Sequence, residues 1–232
     1  MATRGKNYTK AQQVAGQKVP MHIDKALAVV KSAAFAKFDE AVDVSVNLGI
    51  DATKGDQAVR GSVVLPHGIG KKVRVIVFAK DKYADQAEQA GADAVGTTDL
   101  IEKINGGWLD FDYAIATPDL MGAVGALAKV LGPRGLLPNK KNGTVTFDVA
   151  EAVADLKRGR VFFKNDRSGL VHFTVGKVSF DVAKLQDNFN AFMKALASSR
   201  PSGAKGRFLQ KTTVSSTMGP GVLVELDDAF RI

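Results

Sequence analysis

Pro66-His67-Gly68-Ile69-Gly70 is where the pattern of this 232-residue chain changes. Before it, Val42, Val44, Val46 and Leu48 alternate with Asp43, Ser45 and Asn47, the period of a strand buried on one face. After it, Val73 to Ala79 is apolar except for Arg74, as suits a strand covered on both faces. Proline and glycine in succession cannot continue either element. A second break, Lys157-Arg158-Gly159-Arg160, returns the chain to the first style. Pro66, His67, Gly68 and Gly159 are therefore the expected hinge positions.

Between the breaks, strands and helices alternate. Lys82 to Ala90 and Asp99 to Ile104 read as helices, Ala92 to Val95 and Tyr113 to Ala116 as short strands. Thr117 suits an N-cap, Pro118 a first turn and Asp119 the N-terminal dipole. Leu120, Val124, Leu127 and Leu131 then form the stripe of one helix that Gly132-Pro133 stops. Leu131 to Gly143 is a turn-rich loop, Thr144 to Phe147 a strand and Val149 to Leu156 a helix. This alternation predicts an α/β unit with a parallel sheet.

Outside the breaks the style is α+β. Residues 1–18 read as a flexible basic tail, and Pro20 opens a helix over Met21 to Ala34 with Ile23, Leu27, Val30 and Ala34 on one face. Gly49 to Gly61 is a polar connection before a strand at Ser62 to Leu65. Val161 to Lys164 and Leu170 to Val175 read as strands around Asn165-Asp166-Arg167-Ser168-Gly169, with Gly176 kinking into a strand at Val178 to Phe180. Leu185, Phe189, Phe192, Met193 and Leu196 mark a helix, and Val222 to Leu226 a last strand. The expected fold is an α+β split terminal domain, 1–67 and 160–232, with an inserted α/β domain (Rossmann-like, parallel-sheet), 68–159.

The charge follows the same division. Residues 68–159 carry 12 Lys and Arg against 12 Asp and Glu, so the net charge of +8 belongs to the two outer pieces. Excess positive charge confined to one region points to a polyanion, most often nucleic acid. There are no cysteines, which excludes disulfides and thiolate metal sites. His22, His67 and His172 stand far apart, in no metal-ligand spacing. No apolar run is long enough to span a bilayer, and the N-terminus has no secretory-signal core. The chain shows no G-x-S-x-G or H-E-x-x-H motif. Gly68-Ile-Gly70-Lys71-Lys72 matches a phosphate loop in composition only, and it precedes its strand. An enzyme, a metal and a cofactor are thus not expected.

The stretch with most to offer a nucleic acid is Lys211-Thr-Thr-Val-Ser-Ser-Thr-Met-Gly-Pro-Gly221. Thr213, Ser215 and Thr217 alternate with Thr212, Val214 and Ser216, and Gly219-Pro220-Gly221 turns the chain. Hydroxyls there suit phosphate oxygens or ribose 2′-OH groups, and Met218 suits a base or sugar face. An ordinary half-buried edge strand has the same composition. Lys205, Arg207 and Lys211 read as a backbone track or as a flexible charged loop. Lys37-Phe38 pairs an ammonium with a ring that either stacks on a base or packs in the core, as Phe35 is expected to. Arg167 and His172 suit phosphate and base contacts, or a solvated turn and strand.

At these residues the chain resembles the bacterial ribosomal protein L-one family of the large-subunit lateral stalk. The resemblance runs through Lys37-Phe38-Asp39-Glu40, Arg60-Gly61, Leu65-Pro66-His67-Gly68, Ala116-Thr117-Pro118-Asp119, Leu131-Gly-Pro-Arg-Gly-Leu-Leu-Pro-Asn139, Asn165-Asp166, Gly176-Lys177 and Ser216-Thr-Met-Gly-Pro-Gly221. Arg167 stands where the family often has Lys, and Lys140-Lys141-Asn142 departs from the commoner loop. The resemblance implies a split terminal domain that holds large-subunit rRNA through Lys37, Phe38, Arg167, His172, Thr217, Met218 and Gly219. Lys211 and Ser215 join them from the reading of the strand. It further implies a mobile cytoplasmic stalk on the ribosome that helps deacylated tRNA leave the exit site, and a repressor that binds its own operon mRNA. Off the ribosome a monomer is expected. A nucleotide-using α/β enzyme and a general RNA chaperone are the competing readings.

Overall fold

A computed structural model describes residues 5–16 and 19–226. Helix α1, Lys6–Ala15, is followed by α2, Ile23–Ala33, and strands β1, Ala41–Leu48, and β2, Arg60–Val64. Then come β3 (Val75–Phe78), α3 (Lys82–Gln89), β4 (Ala94–Gly96), α4 (Thr98–Asn105) and β5 (Tyr113–Ala116). Short helices α5 (Met121–Gly125) and α6 (Ala128–Leu131) precede α7 (Val149–Arg158). The chain closes with β6 (Arg160–Lys164), β7 (Leu170–Lys177), α8 (Val182–Ser198), β8 (Leu209–Ser216) and β9 (Val222–Val224). No described helix is long and apolar enough to cross a membrane.

The chain divides into two compact units. One comprises the described residues up to Gly70 and from Val161 onward, and the other runs Lys71–Arg160. The first unit is built on an antiparallel sheet in the order β7-β1-β8-β9, with β2 and β6 paired separately. Strand β1 is central because its alternation is strict. Val42, Val44, Val46 and Leu48 are buried in one cluster with α2 residues Ile23, Leu27 and Val30 and α8 residues Leu185, Phe189, Phe192, Met193 and Leu196. Phe173 of β7 stacks on Phe192 with centroids 4.1 Å apart, adding about 0.5–1.5 kcal/mol beyond the area it buries. The pairing of β1 with β7 shifts register between Val42 and Asp43, so Val175 is an extra residue. Gly176 beside it must lack a side chain, because a Cβ there would lie 2.8 Å from Leu185 Cδ2.

Asn188 of α8 is fully buried and fastens the Pro66–Gly70 segment to this unit. Its Oδ1 accepts from His67 N at 3.1 Å, and its Nδ2 donates to Gly68 O and Val175 O at 2.9 and 2.7 Å. His67 Nε2 lies 3.1 Å from Asp187 Oδ2. At the other expected hinge, Gly159 ends α7 in the left-handed conformation, φ 108°.

The second unit has a parallel sheet in the order β4-β3-β5. All four residues of β3 are buried, as an apolar strand between two layers should be. Asp93 is paired with Lys157 at 2.6 Å, and Asp112 with Lys71 at 2.5 Å.

Several local expectations are overturned. The expected flexible tail contains helix α1. Its one fully buried side chain is Ala11, so no apolar stripe announced it. The single helix after Thr117 is instead a 3-10 turn, Pro118–Leu120, followed by α5 and α6. Ala126 and Leu127 donate to Ala123 and Val124, three residues back, and the glycines at 122 and 125 are poor helix formers. The stripe Leu120, Val124, Leu127, Leu131 is buried nonetheless. Thr144 to Phe147 forms one bridge, Ala116 with Val145, and no strand. Strand β7 runs to Lys177 and then turns, Phe180 N bonding Lys177 O, so Val178 to Phe180 is not extended.

Candidate nucleic-acid interface

The site starts from a buried carboxylate. Glu40, 1% exposed, precedes β1. Its Oε1 accepts from the amides of Phe35 and Ala36 at 3.0 and 2.8 Å, and its Oε2 from the Met218 amide at 3.0 Å. Burial pushes the carboxyl up, but donation from these amides outweighs it and holds the pKa below its ordinary value. The turn before β1 and the turn after β8 are thereby held to one anion. Thr217 tightens the link, since its amide donates to Ala41 O and its Oγ1 accepts from Ala41 N, both near 3 Å. The Thr217 hydroxyl thus has a backbone partner inside the protein. Asp39 ties the first turn to a third segment, accepting from Ser179 N and Oγ at 3.1 and 2.8 Å.

What these bonds present is apolar and exposed. Phe38 is 57% and Met218 52% exposed, with exposed Lys37 beside them. Phe38 is therefore not a core residue, and Phe35, expected in the core, is 36% exposed. Gly219 donates to Ser216 O at 3.2 Å, and a Cβ on it would lie 2.4 Å from Ser216 Oγ. Its lack of a side chain serves this turn first.

From there the sheet offers a polar face. Its inner side faces α2 and α8, so the alternate residues point outward. One rung runs His172, Ser45, Thr213, Leu223 across all four strands, and a second runs Thr174, Asp43, Ser215. Ser45 Oγ and His172 Nδ1 are 3.0 Å apart, and Thr174 Oγ1 donates to Asp43 Oδ1 at 2.6 Å. A third rung places exposed Lys211 opposite Asn47.

The exposed Arg167 lies beyond that third rung, in the turn before β7. Asp166 shapes the turn, its Oδ1 accepting from Ser168 N and Leu170 N at 2.8 Å each, and its Oδ2 lies 3.9 Å from His172 Nε2. Gly49 N bonds Phe208 O at 2.7 Å, which brings the loop carrying Lys205 and Arg207 to the same end of β1. Lys37, Phe38, Thr217, Met218 and Gly219 are thus gathered at one end. Ser215 and His172 lie on the face, and Arg167 and Lys211 toward the other end, about 20 Å along β1. Hydroxyl, amide and imidazole groups occupy the middle together with the Asp43 carboxylate, which Thr174 caps, and cations flank them.

Two features escaped the sequence reading. Glu40 shows no outward sign of burial, because its partner amide on Met218 is remote in sequence. Tyr8 and Gln12 of α1 line a cleft of about 260 Å³ with Lys211, Thr213 and Leu223, so α1 borders the polar face. Among the described residues no cluster of His, Cys, Asp or Glu could hold a metal ion.

Two comparisons bear on this arrangement. Residues 30–220 match the sequence profile described as the Ribosomal protein L1p/L10e family. The chain is also similar to the large ribosomal subunit protein uL1 of Cutibacterium acnes, with 54% identity over 221 residues, covering 94% of this chain and 95% of that one.

Proposed function

Because the chain belongs to the Ribosomal protein L1p/L10e family, we propose that its polar sheet face and the two ends of that face hold a folded segment of large-subunit rRNA. The family is one of structural RNA-binding proteins and not of enzymes. The protein is a component of the large ribosomal subunit in the bacterial cytoplasm. The observation that carries the reading is the Glu40 clamp, which keeps Phe38 and Met218 exposed beside Lys37. Two such apolar groups held in water by a buried anion suit ribose and base faces. Lys37, Arg167 and Lys211 supply phosphate contacts, and release of counterions makes the affinity salt-dependent. His172 and Ser215 read 2′-OH groups, and the turn at Thr217 and Gly219, whose amides are bonded within the protein, offers its shape.

The family resemblance supports finer roles. The two units act as separate domains, with Pro66, His67 and Gly68 held to the outer unit by Asn188 and the pivots falling just beyond Gly70 and near Gly159. The chain forms a mobile stalk that assists release of deacylated tRNA from the exit site, and it represses translation by binding its own operon mRNA in place of rRNA. The test is titration of the full chain with a large-subunit rRNA fragment against unrelated folded RNA of equal length, at high salt. Preference for the rRNA fragment is expected. Equal affinity for both would favour a general RNA chaperone and overturn the proposal.

A further inference from the structure

In Lys71–Arg160 the strand order β4-β3-β5 puts the strand after β3 on one side and the next strand on the other. The gap between β3 and β5 is therefore the point where the order reverses. In open α/β sheets, ligands bind outside the carboxyl ends of the strands at such a point. Here the gap opens into a cleft of about 380 Å³. Lys80, Lys82 and Tyr83 line it after β3, and Thr117 and Asp119 line it after β5.

Two independent features mark this cleft. Asp81, on its wall, is the one described non-glycine residue with positive φ, at 48° with ψ −128°. Backbone strain of this kind collects at ligand-binding turns. The ring of Tyr83 packs against Phe147, centroids 5.7 Å apart, and Phe147 is 46% exposed. The Tyr83 ring, backed by Phe147 at a tilt of 40°, thus stands in the cleft beside two ammonium groups, two carboxylates and a hydroxyl.

We propose that this cleft binds one ribonucleotide, either free or as an unpaired nucleotide of an RNA. The base lies on the Tyr83 ring, the phosphate near Lys80 and Lys82, and the ribose hydroxyls toward Asp119 and Thr117. Two lysines face two aspartates, Asp81 and Asp119, so one phosphate matches the site better than a triphosphate.

The test is an NMR titration of the full-length ¹⁵N-labelled protein with AMP, adenosine and pentaadenylate RNA. Saturable shifts of the Asp81, Tyr83 and Thr117 amides are expected. Shifts with AMP identify a free nucleotide as sufficient, and shifts with pentaadenylate alone identify an unpaired RNA nucleotide. Tyr83→Ala should weaken binding about tenfold. A Lys80→Ala, Lys82→Ala double variant should weaken AMP and leave adenosine unchanged. The proposal is overturned if neither AMP nor pentaadenylate moves these amides, or if both variants bind as the parent does.

Discussion

The Glu40 carboxylate accepts a hydrogen bond from the Met218 backbone amide at 3.0 Å, joining residues 178 positions apart. With the Phe35 and Ala36 amides on its other oxygen, this one anion sets the geometry of both turns at one end of the proposed RNA interface. Its lowered pKa means that folding favours the ionised form. The stabilisation is complete above the ordinary value of 4.5 and is lost as the pH falls through the lower folded value. Glu40→Gln puts an amide donor against amide donors. It should cost about 1.5–3 kcal/mol at neutral pH, weaken rRNA binding and flatten the acid limb of stability against pH. Urea unfolding across the acid range checks this. A variant with the parent's acid limb would show that the carboxylate does not carry the effect.

Met218 tests the surface itself. Its side chain is half exposed and its amide is held by Glu40, so Met218→Asp should leave the fold intact. A carboxylate there meets phosphate, and rRNA affinity should fall by more than about tenfold. Circular dichroism and binding titration read the two effects separately. Unchanged affinity with an unchanged spectrum would remove Met218 from the interface.

Lys211 and Arg167 are expected to act as phosphate contacts, which titrate against salt. Lys211→Ala should weaken every bound RNA by a similar factor and reduce the slope of log K against log salt by about 0.7–0.9. Arg167→Ala should do the same. An unaltered slope in both variants would mean that the far end of β1 carries no phosphate.

Residues 68–159 have no net charge, and the excess positive charge lies outside them. Replacing Lys71–Arg160 by a short Gly/Ser linker should therefore preserve most of the rRNA affinity of the outer unit. Asn188 and its bonds to His67 and Gly68 remain in such a chain and should hold that terminus in place. A deletion variant that keeps the circular dichroism spectrum of its own strands and helices yet fails to bind rRNA would place an essential contact between 71 and 160.

Much of the sheet structure was legible in the chain. The alternation of Val42, Val44, Val46 and Leu48 named the buried face of β1, and the unbroken apolar run of β3 named a strand between two layers. Failures came where local pattern was weak or misleading. Helix α1 buries alanine, which leaves no stripe to read. The stripe Leu120, Val124, Leu127, Leu131 marked a buried face correctly and said nothing about where the backbone hydrogen bonds would slip. The Thr217 hydroxyl, read as free for RNA, is partnered by Ala41 across the sheet.

Composition and periodicity alone determined that both sheet styles occur, where the chain changes style, and where its positive charge resides, because each is a property of neighbours along the backbone. Only the tertiary structure decided that Glu40 is a buried anion, that Phe38 stands in solvent, and that Arg167 lies about 20 Å along β1 from Met218. Those outcomes depend on which distant amide, strand or helix arrives beside a residue. Antiparallel pairing brings β7 and β8 against β1, and no local pattern states that pairing.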